Sequence, residues 1–305
     1  MRNMKSVYLI GLGAIGASFC SKFIENDYEN FKVIANGKRK EKYESSKFIV
    51  NNKEYKFKFI SSEDNMEKAD LIIIACKFHH LSDVIKQVKP FVNSKTVIMS
   101  LLNGISSEAI IAKELGEEKL LYSVCYGIDA LRNDNGISYK NLGTIMFGEK
   151  ENSVYSNRVE GIKNLFDEVG IPYDSPKDLM KVIWRKFMIN VGINQTSAIL
   201  RADYKVFQND YYARKLMDDT MREVIGLANK LGIDLGDEDI ELFHDFIDTF
   251  APNGKTSMLQ DIESKRKTEV EMFAGEMIKL GGLNSYDTPI NNILFDMIKT
   301  IENNY

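Results

Sequence analysis

Apolar residues fall in two rhythms along the chain, and the change between them divides it. Through the first half, short runs rich in Val, Ile, Leu and Phe recur at residues 7–10, 31–35, 56–60, 71–76 and 96–101, with helix-like mixtures of polar and apolar residues between them. That alternation predicts βαβ units and a doubly wound, mostly parallel sheet, an α/β architecture. Residues 123–127 and 144–148 read as further strands on either side of the turn-rich Asn133-Asp134-Asn135-Gly136 stretch and extend the sheet. Residues 153–169 read as a helix, and Ile171-Pro172-Tyr173 as a closing edge segment, where proline's missing N–H is tolerated.

Beyond Ser175-Pro176 the apolar residues recur at helical spacing and strand signals become few. Helices are expected at 177–200, 209–231, 237–250, 258–280 and 289–302. Ser257 with Gln260 forms a capping-box pattern, Gly281-Gly282 reads as a stop, and Thr288-Pro289 offers an N-cap followed by proline at the first helical position. The expected domains are therefore 1–175, built on the sheet, and 176–305, all-helical. There is no internal repeat and no low-complexity linker.

Composition narrows the function. A chain of 305 residues, 44% hydrophobic and 28% charged, has material for two packed cores. A formal net charge of −4 argues against a nucleic-acid partner, because phosphate backbones call for a basic face, and leaves a small molecule as the expected ligand. Met1-Arg2-Asn3-Met4-Lys5-Ser6 runs straight into residues 7–10, too short an apolar stretch for a signal peptide or a membrane span of ~20 residues. A cytoplasmic protein with no membrane partner is expected. Cys20, Cys76 and Cys125 are odd in number and far apart, so they read as buried thiols and not as a disulfide framework or zinc site. His79, His80 and His244 are the only histidines, which leaves little room for a histidine metal site or a Ser-His-Asp triad. No metal is expected, and proton chemistry should rest on other side chains.

Gly11-Leu12-Gly13-Ala14-Ile15-Gly16 follows the first strand and opens a helix, the setting of a Rossmann-type dinucleotide site. The first glycine permits the tight turn, the second lets a pyrophosphate approach the backbone, and the third allows close helix–strand packing. The helix N-terminus supplies amide donors and a positive pole. A glycine-rich turn without a ligand is the plainer alternative. The second strand ends in Ala35-Asn36-Gly37-Lys38-Arg39-Lys40, where an NAD site usually places an acid on the ribose hydroxyls. Bases there favour NADP(H), with Lys38 or Arg39 on the 2′-phosphate. Lys40 and Lys42 also fit a solvated helix face. Lys77 follows the fourth strand and Asn103-Gly104 the fifth, the carboxyl-end positions where parallel sheets bind ligands, although Asn-Gly alone is more often a turn.

In the helical half, Lys186, Asn190 and Asn194 recur at i, i+4 and i+8, drifting by only ~80° around a helix. They make a polar stripe on an apolar helix. Buried asparagines need hydrogen-bond partners, and a buried lysine becomes a usable proton donor when desolvation lowers its pKa. A helix-packing network explains the stripe equally well. Residues 257–269 combine a helix cap with a run of charges that reads as a solvated face, and periodicity does not single out Glu269.

Together these residues resemble the ketopantoate reductase (2-dehydropantoate 2-reductase) family across almost the whole chain: the glycine motif, Lys77, Asn103-Gly104, Lys186-x3-Asn190-x3-Asn194 followed by Thr196-Ser197-Ala198, and Ser257-Met258-x-Gln260-Asp261-x4-Arg266-x-Thr268-Glu269. The resemblance implies NADPH-dependent reduction of ketopantoate to pantoate, a step of pantothenate and coenzyme A synthesis. It implies Lys186 as general acid, Asn103, Asn190, Asn194 and Ser257 as substrate ligands, and Glu269 on the cofactor or the substrate hydroxyl. Lys77 and Asn103 would also serve NADPH, beside Asn36, Lys38 and Arg39. The chain departs from the family pattern at Asn36, where many relatives carry arginine, at Tyr204, where some carry a substrate-binding asparagine, and at Glu271 and Ala274, where aspartate and asparagine are expected. A relative acting on another small 2-keto acid, or a non-catalytic NADP(H)-sensing protein, are the alternative readings. A homodimer is compatible with the helical half, and no coiled-coil heptad specifies one.

Overall fold

The computed structural model describes residues 4–133 and 136–305. Asp134 and Asn135 of the expected turn, and the first three residues of the N-terminal segment, lie outside the described residues. The chain divides into two compact units, residues 1–103 with 107–179 and residues 104–106 with 180–305.

In the first unit the elements run β1 (Val7–Ile10), α1 (Ala14–Glu25), β2 (Phe31–Ile34), α2 (Gly37–Ser45), β3 (Phe48–Val50), β4 (Lys53–Tyr55), β5 (Phe59–Ile60), β6 (Leu71–Ile74), α3 (Leu81–Val88) and β7 (Val97–Ser100). They continue as α4 (Ser107–Leu115), β8 (Leu120–Tyr126), β9 (Leu131–Asn133), β10 (Gly136–Ser138), β11 (Thr144–Gly148), α5 (Asn157–Val169) and β12 (Tyr173–Asp174). The main sheet has the order β12-β11-β8-β7-β6-β1-β2-β5, with every neighbouring pair parallel except β8 with β11. Its six central and outer parallel strands follow the doubly wound 3-2-1-4-5-6 order, whose switch point lies between β1 and β6. Strands β1, β6 and β7 are buried at every position, as strands covered on both faces must be. Alternation then sends Val7 and Leu9 into one apolar layer and Tyr8 and Ile10 into the other.

The stretch expected as a strand over 56–60 pairs only at Phe59–Ile60. Residues 48–50 and 53–55, ahead of that stretch, belong to a second sheet of order β4-β3-β10-β9 that the apolar pattern does not reveal. Its strands are three residues long, too short for a period to show. The legible signal is Asn51-Asn52: both residues take left-handed φ, 48° and 65°, and so close a two-residue hairpin between β3 and β4. Helix α5 begins at Asn157, later than 153, because Ser156 is the residue that caps it, accepting from Val159 N.

The second unit contains α6 (Leu179–Ile189), a π turn (Asn190–Asn194), α7 (Gln195–Leu200), α8 (Tyr204–Asn209), α9 (Tyr211–Lys230), α10 (Asp237–Ile247), α11 (Ser257–Glu263), α12 (Ala274–Leu283) and α13 (Pro289–Asn303). The helix expected over 258–280 is two helices. After α11, Lys265 turns left-handed at φ 51°, its N–H donating to Ile262 O at 3.0 Å and that of Arg266 to Asp261 O at 2.8 Å. That is a Schellman stop built without glycine, so composition gives no warning of it. The cap of α11 is Thr256, whose Oγ1 accepts from Leu259 N at 3.2 Å, and not Ser257. Gly281-Gly282 does not end α12, which runs to Leu283. A Cβ on Gly281 would stand 2.5 Å from Tyr286 O, so this glycine serves close packing. None of the helices described is long and apolar enough to cross a membrane.

Candidate active site

The glycine motif lies at the carboxyl end of β1, and its three glycines face different surroundings. Gly11 has φ 107°, and a Cβ there would stand 2.4 Å from Ala75 O, so the turns after β1 and β6 meet at the switch point with no room for a side chain. A Cβ on Gly16 would stand 1.9 Å from Gly11 O, which presses α1 onto the turn. Around Gly13 nothing lies within 4 Å of such a Cβ. The backbone there is open, where Gly13 is the N-cap of α1 and makes no side-chain cap bond. Leu12, Ala14 and Ile15 complete the turn, with Leu12 buried and Ala14 and Ile15 leaning on the apolar layer that holds Val7 and Leu9.

At the end of β2, Asn36 is engaged on both sides of its amide by Ser62: Nδ2 donates to Ser62 Oγ, and Oδ1 accepts from Ser62 N at 2.9 Å. Its side chain braces the loop after β5. Lys38 and Arg39 stand exposed in the first turn of α2, while Lys40 pairs with Asp64 at 3.3 Å. Two bases at a helix N-terminus with no acid in that turn oppose the helix dipole, an arrangement that an anion stabilises. Lys77 is exposed and precedes a short 3₁₀ turn, Phe78–His80, just beyond β6. Asn103 is half-buried beyond β7. Cys20 and Cys125 are buried and Cys76 half-buried, all three as free thiols.

One group near β7 carries no mark in the sequence. Glu108 is buried in the first turn of α4, accepting from Ser107 Oγ at 2.9 Å, and that hydroxyl lies 2.8 Å from Ser100 Oγ at the end of β7. Burial pushes its carboxyl up to about 7, outweighing the hydrogen bonds that favour the ionised form.

In the second unit the polar stripe acquires a physical form. Lys186 is half-buried in the last turn of α6, between buried Trp184, Phe187 and Met188. Arg185 ties the same turn to α10 through Asp239 at 2.5 Å, whose other oxygen accepts from Gly236 N at 3.0 Å. Asn190 opens the π turn and Asn194 ends it. A π turn spends more residues per turn than an α turn, which offsets the forward drift of an i, i+4, i+8 series. Side chains bond back to carbonyls within the π turn: Gln195 Nε2 donates to Val191 O at 2.8 Å and Thr196 Oγ1 to Gly192 O at 2.7 Å. Gly192 lets α9 approach, for a Cβ there would lie 2.5 Å from Met221 Cγ.

Asn194, 6% exposed, is the hub of the cluster. Its Nδ2 donates to Asn190 Oδ1 at 3.2 Å, and its Oδ1 accepts from Ser257 Oγ at 3.1 Å. Because Thr256 does the capping, the Ser257 hydroxyl is released for this bond. Three of the expected substrate residues thus form one hydrogen-bonded run, one helical turn beyond Lys186. Glu269 is half-buried on a separate turn that leads into Val270–Met272. That turn is held by Glu302, whose Oε1 accepts from both the N–H and the hydroxyl of Thr268 at 2.7 Å. Gly104, at φ 84°, packs on it too: a Cβ there would lie 2.8 Å from Met272 Cγ.

The departing positions have structural roles. Tyr204 packs edge-on against Phe250 at 4.9 Å, Glu271 pairs with Lys299 at 2.8 Å, and Ala274 N donates to Gln195 Oε1 at 3.2 Å. Among the described residues no group of three His, Cys, Asp or Glu side chains is placed to hold a metal ion.

Comparison with known proteins matches both units to one family. A family model described as ketopantoate reductase PanE/ApbA matches residues 7–152, and its C-terminal counterpart matches residues 178–302. A 2-dehydropantoate 2-reductase of Aquifex aeolicus is 24% identical over 302 residues, covering 96% of each chain. Among solved structures, a dimeric ketopantoate reductase from Staphylococcus aureus has a TM-score of 0.81 at 19% identity, covering 98% of this chain and 99% of that one. D-mandelate dehydrogenase in complex with NADH has a TM-score of 0.86 at 20% identity, again covering 98% and 99%. These structural likenesses are of fold.

Proposed function

Because the chain belongs to the ketopantoate reductase family, we propose that it is an NADPH-dependent reductase of small 2-keto acids, with ketopantoate as substrate and pantoate as product, serving pantothenate synthesis in the cytoplasm. The observation that carries this reading is the hydrogen-bonded run Asn190–Asn194–Ser257 one turn beyond Lys186. It gathers neutral donors and acceptors for a carboxylate and hydroxyl beside one cationic proton donor.

The first unit fits a dinucleotide by its own geometry. The open backbone at Gly13 leaves the space a pyrophosphate needs, and exposed Lys38 and Arg39 suit a 2′-phosphate better than a ribose diol. Bound there, NADPH supplies a hydride to the keto carbon. The rest is the work of the protein's own side chains. Asn103, Asn190, Asn194 and Ser257 hold the acid, and Glu269 contacts the substrate hydroxyl or the cofactor. Lys77 serves the cofactor, and Lys186 gives its proton to the oxygen of the former ketone. A proton delivered as negative charge develops there contributes about 10²- to 10⁴-fold. A homodimer, the state described for the Staphylococcus aureus relative, is the assembly we carry forward.

A second reading concerns the substrate alone. D-mandelate dehydrogenase shares the fold, and Tyr204 here packs on Phe250 where some relatives carry a substrate-binding asparagine. Another 2-keto acid is therefore the alternative occupant. A sensing protein without turnover is disfavoured, since it has no use for both Lys186 and Glu269. NADPH oxidation with ketopantoate beside branched, aromatic and unbranched 2-keto acids separates the readings. The proposal expects the highest kcat/KM for ketopantoate. A higher value for another acid reassigns the substrate, and no turnover with any of them overturns the reductase reading.

A further inference from the structure

Arg132, in the middle of β9, reaches across 120 residues of sequence to the glycine turn: its Nη1 donates to the Leu12 carbonyl at 2.9 Å. The small sheet brings it there. Strands β3 and β10 pack against α1, and β9 pairs with β10 in the register Ile137↔Arg132. Arg132 is exposed, and no carboxylate is paired with it among the described residues. A guanidinium has five N–H donors in a planar fork, and the Leu12 bond takes one of them. The turn from Gly11 to Gly16 holds no basic side chain of its own, and the first turn of α1 holds no acid. An arginine that no carboxylate among the described residues offsets therefore stands against a turn whose backbone is open at Gly13. Two positive poles brought together are mutually unfavourable until an anion joins them.

We propose that Arg132 is a phosphate ligand of the dinucleotide site, fixing the glycine turn through Leu12 with one N–H and offering the others to the cofactor's pyrophosphate. The inference rests on the dinucleotide reading of the preceding subsection and adds a residue that the glycine motif does not contain. It also divides the work of the cations. Lys38 and Arg39, in the first turn of α2, face the group that distinguishes NADPH from NADH, whereas Arg132 faces the group that both share.

The test is calorimetric titration of the wild-type protein, Arg132→Ala and Arg132→Gln with NADPH and with NADH. Glutamine keeps a donor for the Leu12 carbonyl but no charge. Both variants should bind both dinucleotides about tenfold more weakly, the order expected of one charge-assisted contact, with the NADPH-to-NADH ratio unchanged. Their affinity should also depend less steeply on salt than that of the wild type, and the melting temperature without cofactor should stay at the wild-type value. Full affinity in Arg132→Gln would reduce Arg132 to a backbone clasp and overturn the proposal. A loss confined to NADPH would place the arginine on the 2′-phosphate and overturn it as well, as would unchanged affinities in Arg132→Ala. Wild-type protein that binds neither dinucleotide overturns the cofactor reading and this assignment with it.

Discussion

Lys186 carries the proton chemistry of the account, and its test is correspondingly sharp. Lys186→Ala should leave NADPH affinity near the wild-type value, because the glycine turn proposed to hold the phosphates belongs to the other unit, yet lower kcat by about 10²- to 10⁴-fold. Lys186→Arg should rescue poorly, since a guanidinium keeps its proton near neutral pH. Retention of more than about a tenth of wild-type turnover, with a deuteride isotope effect showing chemistry to be rate-limiting, would remove the general-acid role. Glu108 gives a prediction in stability. Its carboxyl titrates at about 7 when folded and near 4.5 when unfolded, so between those values the native state holds a proton that the unfolded chain has released. Stability should therefore fall as pH rises through that window and level off above it, by at most about 3 kcal/mol. Urea unfolding of Glu108→Gln should show that slope flattened, and an unchanged slope would contradict the cause assigned. At this scale the glycine turn is legible because its constraints are steric and local. Glu108 and Arg132 are not, because burial in one case and a partner 120 residues away in the other are properties of the folded chain.

Among the elements, α11 shows how one residue of register changes a role. With Thr256 as the cap, Thr256→Ala should cost about 1–2 kcal/mol of stability, through the lost cap and its bond to Ser197 Oγ, with little direct effect on substrate affinity. Ser257→Ala should do the reverse, raising KM for the keto acid while thermal unfolding stays near the wild-type midpoint. Equal destabilisation by both would return the capping role to Ser257. Sequence periodicity placed most helices of the second unit but joined α11 to α12, since the stop at Lys265 uses a left-handed lysine in place of glycine. The π turn is invisible for a similar reason: the side chains that bond back to its carbonyls belong to Gln195 and Thr196, residues ordinary in any helix. The stripe of Lys186, Asn190 and Asn194 was nevertheless legible, because polar residues on an apolar helix need partners whatever the local pitch.

For the whole molecule, the two units carry complementary halves of one reaction in the proposed reading, a cofactor motif on a parallel sheet and a proton donor among polar ligands on helices. The cofactor half predicts at least about tenfold tighter binding of NADPH than NADH, a difference of ~1.4 kcal/mol that one or two charge-assisted contacts from Lys38 and Arg39 can supply. Equal affinities in calorimetry would reject that preference while leaving the fold untouched. The central claim is hydride transfer from the nicotinamide to the 2-carbon of a keto acid. It is tested most directly by a single-turnover reaction of ketopantoate with NADPH deuterated at the transferable position of C4, followed by mass spectrometry of the acid. The account predicts pantoate carrying one deuterium at C2. Pantoate without the label, or unreacted ketopantoate beside fully retained NADPH, would contradict it.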